Sequence, residues 1–167
     1  MPATYEKIAT TTLGSATGTI SFTSIGAGYT DLRIVMVGTM VNSEQPYIRF
    51  NSDSGTNYSQ TFIAGSGSSA YSQRYSSMNR IYVAIQSNWS TTNSQMAEFD
   101  VFSYSGSTFK TTLFAGSNDN NGVGVAGLDR TVGLWRSTSA ITQIDIVGNG
   151  QNFSTGFTAT IYGILKA

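Results

Sequence analysis

Short runs in which hydrophobic and polar residues alternate recur along the chain, and they end at clusters of Gly, Ser, Asn or Asp. In residues 17–23, Ile20 and Phe22 lie on one side of the pattern and Ser and Thr residues lie on the other. Residues 157–165 alternate in the same way. A period of two residues is typical of a β-strand with one buried face. No stretch carries apolar residues at the helical spacing of about 3.6 residues, so the pattern predicts an all-β protein.

The alternating runs predict about ten short strands. The eleven candidate segments are residues 5–13, 17–23, 31–40, 47–51, 58–64, 79–86, 96–104, 109–115, 131–136, 141–147 and 157–165. Turn residues predict a hairpin turn at 51–57 and longer loops at 65–77, 87–94 and 116–127. The strand at 31–40 is apolar on both sides, with Ile34 on one face and Val35 and Val37 on the other. This predicts that both of its faces are covered.

Two antiparallel sheets packed face to face are the simplest way to bury so many alternating strands. The number of strands and the long loops predict an antiparallel β-sandwich, jelly-roll-like, with eight core strands and some extra ones. No change of composition or linker divides the chain, so residues 1–167 are predicted to form a single domain. Residues 1–7 are a candidate N-terminal arm, with Pro2, Ala3 and Tyr5 as the residues that would anchor it to a neighbour.

The charge of the chain removes several classes of function. Charged residues make up 11% of the sequence, against roughly 25% in an average soluble domain. The 9 basic and 9 acidic residues give a net charge of zero. Because duplex nucleic acid and acidic membranes both attract a basic surface, neither is expected as a partner. The chain has no Cys and no His, which excludes disulfides, thiol nucleophiles, Ser-His-Asp triads and most zinc sites. We therefore expect no enzymatic activity and no cofactor.

Several segments, in this order along the chain, resemble a family of small virion proteins of tailed bacteriophages. They are YEKIATTTLG at residues 5–14, TISFTSI at 19–25, YTDL at 29–32, RFN at 49–51 followed by Asp53, Gly55, Asn57 and Tyr58, AITQI at 140–144, Phe153, and ATIYGI at 159–164. Together these segments span most of the chain, and the parts between them fall mainly in predicted loops.

The resemblance implies a non-enzymatic structural protein of a phage particle, made in the host bacterial cytoplasm and found in the virion. The expected role is that of a capsid decoration or cement protein that stabilises the head through repeated subunit contacts. It would associate with itself as a homotrimer and bind the major capsid protein or tail proteins. The alternative is a tail, baseplate or fibre component that binds carbohydrate on the host surface.

Two groups of polar residues are candidate chemical sites. Glu98 and Asp100 are two residues apart in a predicted strand and so share one face. Paired carboxylates of this kind can hydrolyse glycosides, but nothing else in the sequence converges on them, so we expect an exposed polar patch on an outer sheet face. Asn51, Asp53 and Asn57 offer oxygen atoms at alternate positions, as calcium loops do. A hairpin turn rich in Asn and Asp has the same composition, and we expect no metal there.

Three aromatic residues stand out because they lie in predicted polar loops. They are Tyr71, Tyr75 and Trp89. Aromatic side chains outside a core can anchor a subunit interface or stack on sugar rings. We therefore treat these residues as candidates for an interface or for glycan stacking.

Overall fold

A computed structural model describes residues 4–83, 88–118 and 127–165 of the chain. This part forms twelve strands and contains no helix. The strands are β1 (Tyr5–Thr12), β2 (Thr19–Phe22), β3 (Asp31–Gly38), β4 (Tyr47–Phe50), β5 (Tyr58–Gly65), β6 (Ala70–Met78), β7 (Ile81–Tyr82), β8 (Gln95–Phe102), β9 (Lys110–Asn118), β10 (Gly127–Trp135), β11 (Ile144–Val147) and β12 (Thr158–Ile164). Nothing in the described ranges is a helix long and apolar enough to cross a membrane.

The strands form two antiparallel sheets, which confirms the predicted β-sandwich. The larger sheet has eight strands in the order β1-β12-β3-β8-β9-β10-β5-β6. The smaller sheet has four strands in the order β2-β11-β4-β7. Sequence neighbours β1 and β2 lie in different sheets, as do β3 and β4, so the chain crosses repeatedly from one sheet to the other.

The strand order is that of a jelly roll with two insertions. Four antiparallel pairs, β1 with β12, β2 with β11, β3 with β8 and β4 with β7, make one long ribbon. The ribbon rolls up because β12 also pairs with β3, and β11 with β4. The hairpins β5–β6 and β9–β10 are inserted between these core strands, and they extend one sheet from four strands to eight.

The core lies between the two sheets. Alternate side chains of both sheets point inward, as the period of two residues predicts. These inward side chains are at most 3% exposed and include Leu32, Ile34, Met36, Phe99, Phe114 and Ile161 of the larger sheet and Ile20, Ile48, Phe50, Ile144 and Ile146 of the smaller one. Phe99 and Phe114 stack across β8 and β9 with their ring centroids 4.6 Å apart. Burying each such side chain contributes roughly 1.5–3 kcal/mol to folding.

Gly133 explains how closely the sheets approach near β7. A Cβ atom at this position would overlap Thr112 Oγ1 and would lie 2.8 Å from Ile81 Cδ1. Only a residue without a side chain therefore lets β10 pass beneath the edge of the smaller sheet.

One predicted loop is a strand, and one predicted strand differs in its extent. Residues 65–77 were predicted to be a loop, but Ala70–Met78 forms β6 and pairs along β5. In the strand predicted at 79–86, Ile81–Tyr82 forms the two-residue strand β7 and pairs with β4, and residues 84–86 lie outside the described residues. The composition of β6 is that of a loop, so its pairing with β5 decides its conformation.

The structure also corrects the predicted N-terminal arm. Tyr5 belongs to β1, where it pairs with Ile164 at the edge of the larger sheet. Its ring, 46% exposed, lies 5.6 Å from the guanidinium carbon of Arg33. Tyr5 is therefore part of the sheet, because β1 begins at this residue. Pro2 and Ala3 lie outside the described residues.

Candidate interaction surfaces

Tyr71 and Tyr75 form an aromatic patch around Phe62 at the far end of the larger sheet. Phe62 is on β5, and both tyrosines are on the adjacent strand β6. The ring of Tyr75 stacks on Phe62 at 6.0 Å, and the ring of Tyr71 meets it edge-on at 5.6 Å. Phe62 is 2% exposed, whereas Tyr71 is 41% exposed. The structure thus brings two of the predicted aromatic residues together, on a strand rather than in a loop.

The same region holds a second aromatic pair on the smaller sheet. Tyr47 on β4 and Tyr82 on β7 meet edge to face, with centroids 6.4 Å apart. The guanidinium carbon of Arg80 lies 4.2 Å from the centroid of Tyr47 and 5.7 Å from that of Tyr82. Tyr82 also packs against the small cluster that contains Phe62. The two sheets thus each contribute aromatic side chains to this region.

Trp89 is buried, and the prediction that it serves as an exposed anchor or stacking platform is wrong. It is 1% exposed, and its indole Nε1 donates a 2.8 Å hydrogen bond to the backbone oxygen of Gly38. Its ring packs against Phe157 at 5.7 Å. Its polar neighbours in the sequence suggested a loop, but an antiparallel β-bridge between Glu44 and Trp89 holds this segment against the sandwich.

Glu98 and Asp100 share the outer face of β8, as predicted, but they do not form a pair of equivalent carboxylates. Asp100 accepts two hydrogen bonds of 2.6 Å from Arg33 Nε and Nη2 on the adjacent strand β3. The carboxylate of Asp100 raises the pKa of Arg33, although burial acts in the opposite direction. Glu98 makes no hydrogen bond or ion pair to any other described residue. The two carboxylates therefore differ in their surroundings, because arginine holds only that of Asp100.

The turn at residues 51–57 connects β4 of the smaller sheet to β5 of the larger one, so the predicted hairpin is wrong, and the turn uses its oxygen atoms within the protein. Asp53 Oδ1 accepts from Gly55 N at 2.8 Å, and Asp53 Oδ2 accepts from Asn57 Nδ2 at 3.0 Å and from Trp135 Nε1 at 2.7 Å. Burial acts to raise the pKa of Asp53, but these hydrogen bonds outweigh it and hold the pKa below its ordinary value. The described part of the chain contains no group of three acidic residues that would hold a metal ion. The turn is therefore an Asx turn that fixes Trp135.

Lys110 is a buried charged residue that the sequence pattern did not single out. It begins β9, points into the sandwich and is 0% exposed. Its ammonium donates to the backbone oxygens of Gly106 at 2.7 Å and Thr108 at 2.5 Å. Burial lowers the pKa of Lys110. Its inward position in the alternation of β9 was readable from the sequence, but the carbonyl groups that receive its charge come from the turn before the strand.

The outer face of the larger sheet carries most of the large apolar side chains that are exposed in the described part. The smaller sheet covers only the opposite face. The large apolar side chains exposed on this outer face are 38–60% accessible, and they are Val37, Ile63, Met96, Phe102, Leu113, Leu128 and Val132. We call this surface the outer face. The sequence predicted cover on both sides of residues 31–40, but within this chain Val37 is 42% exposed.

A shallow depression lies at the centre of the outer face, over β9. It has a volume of about 270 Å³. Ala115 on β9 forms part of its floor, with Glu98 and Met96 of β8 on one side and Leu128 and Arg130 of β10 on the other. The depression exists because β9 carries small residues between two strands with long side chains. An acidic group thus flanks one side and a basic group the other.

Comparisons with known proteins give no family. No protein-family model and no curated protein matches the chain. Among solved structures, a chain from the structure of infectious bursal disease virus Gt strain is 12% identical. That alignment covers 95% of this chain and 38% of the other chain, with a TM-score of 0.16. A likeness of this size carries no argument about fold or function, so the proposals below rest on the residues themselves.

Proposed function

We propose that this chain is a non-enzymatic structural protein of a tailed-bacteriophage particle and that it decorates the capsid. The observation that carries the proposal is the outer face, a broad sheet surface with many exposed apolar side chains. Surfaces of this kind mark interaction sites in soluble proteins. When such contacts are repeated by the symmetry of a particle, modest individual affinities add up to stable attachment. The proposed partners are the major capsid protein and further copies of this chain, which the resemblance gives as a homotrimer.

The polar parts of the surface suit the same role. On β1 and β12, the hydroxyl groups of Thr10 and Thr160 lie 3.1 Å apart, and those of Thr12 and Thr158 lie 3.2 Å apart. Uncharged hydroxyl groups keep the protein in solution and cost less to bury than unpaired charges. A surface of this composition supports assembly by area rather than by a few strong charges.

The test is the copy number of the protein in purified particles of the phage that encodes it, measured by mass spectrometry against the major capsid protein. Hundreds of copies in a simple ratio to the capsid protein are expected for a decoration protein. A handful of copies, in multiples of three or six, would favour the tail or baseplate alternative. Absence of the protein from the particle would refute both.

A variant of the outer face tests whether that surface attaches the protein. Val132→Asp places a charge on a side chain that is 52% exposed and should abolish incorporation into particles that lack the natural protein. Thr19→Asp is the matched control, because it introduces the same charge at an exposed strand position of the smaller sheet, away from the outer face. Equal incorporation of both variants would contradict a role of the outer face.

The aromatic patch favours the alternative function of binding host carbohydrate. Tyr71→Ala, alone and with Tyr75→Ala, should abolish binding to an oligosaccharide that the natural protein retains on a glycan array. Tyr5→Ala is the matched control, since Tyr5 is similarly exposed at 46% but lies at the opposite edge of the sheet. If the natural protein binds no glycan, or if all three variants bind equally, this alternative fails.

A further inference from the structure

We propose that the outer face binds the outer face of a second copy of this chain, across a two-fold axis that runs parallel to β9. The inference deepens the proposed function by naming the partner of that surface, and it rests on that proposal only in using the same face. A dimer in solution and a place in a phage particle are separate results, and each can fail without the other.

The cross-strand register gives the first argument, because it makes the charges of the outer face self-complementary. Glu98 on β8 and Arg130 on β10 are both paired with Ala115 of the strand between them. The two charged residues therefore lie in one row, one strand to either side of β9. A two-fold axis that runs above β9 and parallel to it brings the outer faces of two copies together and places β8 of each copy over β10 of the other. Glu98 of each copy then faces the partner's Arg130, which gives two ion pairs.

The charges needed for this contact are available. Glu98 and Arg130 make no hydrogen bond or ion pair to another described residue, and Arg130 is exposed. In contrast, Asp100 on the same strand as Glu98 is already held by Arg33. The row thus contains one acidic and one basic group, one strand to either side of β9, and neither is held by a hydrogen bond or ion pair to a described residue, although the charge of Arg33 also acts on Glu98. An isologous interface requires this arrangement, since each patch must complement itself.

The apolar side chains follow the same symmetry. Met96 and Leu128 are both paired with Ser117 of β9, so the axis places Met96 opposite the partner's Leu128. Leu113 lies on β9 itself and would meet its own copy. The exposed fractions of these side chains are 39% for Met96, 60% for Leu128 and 38% for Leu113. Two rows across the face therefore pair apolar groups with apolar groups or opposite charges with each other. In the row of Leu113, the axis places Asp100, which is already paired with Arg33, opposite the partner's Val132.

The depression over β9 provides the space that the long charged side chains need. Face-to-face sheets pack about 10 Å apart, which leaves room for side chains only where they interdigitate. Ala115 is small, so the stems of Glu98 and Arg130 from both copies can lie over it. Five strands at roughly 4.8 Å spacing span about 24 Å, and about six residues along each strand span about 20 Å. The contact therefore covers about 500 Å² of sheet per copy and about 1,000 Å² in all. Specific interfaces begin at about this total area, so we expect a reversible dimer.

Charge reversal tests the contact directly. The full-length protein should sediment as a concentration-dependent mixture of the 17.8 kDa chain and a species of twice that mass. Arg130→Glu and Glu98→Arg each replace two attractive pairs with two repulsive ones, so each should weaken dimerisation roughly tenfold or more at low salt. The double variant Glu98→Arg/Arg130→Glu restores opposite charges and should return the dissociation constant to within about threefold of the natural value.

Controls separate the contact from general effects of charge or misfolding. Lys7→Glu reverses a charge on the same face, but on β1, four strands from β9, where the axis places no partner strand. It should leave dimerisation unchanged, and all variants should keep the natural circular dichroism spectrum. Leu113→Glu should separate the copies by bringing two carboxylates together on the axis. A hexamer that dissociates to trimers on charge reversal would support the contact, since two-fold and three-fold contacts then coexist.

Three results would overturn the proposal. One is a monomer at the highest soluble concentration. Another is a trimer whose mass is indifferent to the reversals. The last is a double variant that stays as weak as the single ones.

Discussion

The two tryptophans of the chain offer a matched measurement of what a charge contributes inside the sandwich. Trp135 is 2% exposed, and its Nε1 donates to the carboxylate of Asp53 at 2.7 Å. Trp89 is 1% exposed, and its Nε1 donates to the neutral backbone oxygen of Gly38 at 2.8 Å. The perturbation is Trp135→Phe, with Trp89→Phe as the control. Both changes shrink a buried ring and remove one donor, so they differ mainly in the charge of the acceptor.

The expected magnitudes follow from these contacts. A hydrogen bond to a neutral acceptor contributes about 1 kcal/mol to stability, and one to a charged acceptor contributes about 1.5–3 kcal/mol. The smaller ring costs both variants a similar amount. We therefore expect Trp135→Phe to lower the free energy of unfolding at pH 7 by about 1 kcal/mol more than Trp89→Phe does.

The pH dependence identifies the source of this difference. The pKa of Asp53 is lower in the folded protein than in the unfolded chain. The stability contributed by its ionised form is therefore fully present above about pH 4 and is lost as the pH falls through the folded pKa. Removing the indole N–H of Trp135 weakens that contribution, so the cost of Trp135→Phe should shrink in acid. The cost of Trp89→Phe should stay constant over the same pH range.

Urea unfolding followed by far-ultraviolet circular dichroism, repeated from pH 7 downward, measures both variants without depending on tryptophan fluorescence. Two results would refute the reasoning. One is a cost of Trp135→Phe that does not change with pH, and the other is a parallel decline in both variants.

The remaining predictions concern other buried positions. Burial lowers the pKa of Lys110 in the folded protein. Between this lowered pKa and 10.5, the unfolded chain binds more protons than the folded one, so the free energy of unfolding should rise as the pH increases towards 10.5. Urea unfolding of Lys110→Met should show a smaller rise, and an unchanged slope would contradict the assignment. Gly133→Ala should cost about 1–3 kcal/mol, because its Cβ atom meets Thr112 and Ile81. Thermal unfolding of Gly14→Ala, where a Cβ atom meets nothing within 4 Å, is the control and should show little change.

Much of the fold could be predicted from the sequence because a half-buried strand leaves a local signature. The strands β3, β4 and β5 begin at the predicted residues, and the alternation of β12 separates its buried Ala159 and Ile161 from its outward residues. The number of strands and the long loops favoured a jelly roll, although one of those loops, at 65–77, contains strand β6. The alternation itself contains no information about which strands are neighbours.

The errors have a common physical origin in long-range contacts. The residues of β6 are mostly Ser, Gln, Arg and Tyr, and they are extended because β5 supplies hydrogen-bond partners along the edge of the sheet. Trp89 is surrounded by polar residues in the sequence, yet its burial depends on Phe157 and Gly38, which are far away in the chain. Neither result follows from a window of neighbouring residues. The aromatic patch was only half predictable for the same reason, since Phe62 joins Tyr71 and Tyr75 through strand pairing.

The predicted cover on both faces of β3 shows what a hydrophobic pattern can and cannot distinguish. Alternation records which side chains avoid water in the working state of a protein, whether the cover comes from the same chain or from another. On β3 the smaller sheet covers Ile34, which is 0% exposed, but nothing in the described chain covers Val37. The same imbalance continues across β8, β9 and β10, where exposed apolar residues stand in register with a row of opposite charges. Exposed apolar side chains that gather on one face, such as Met96, Leu113 and Leu128, mark interaction surfaces in soluble proteins. The apolar pattern of the outer face is therefore evidence for a partner, and its symmetry about β9 is the reason to look first for a second copy of the same chain.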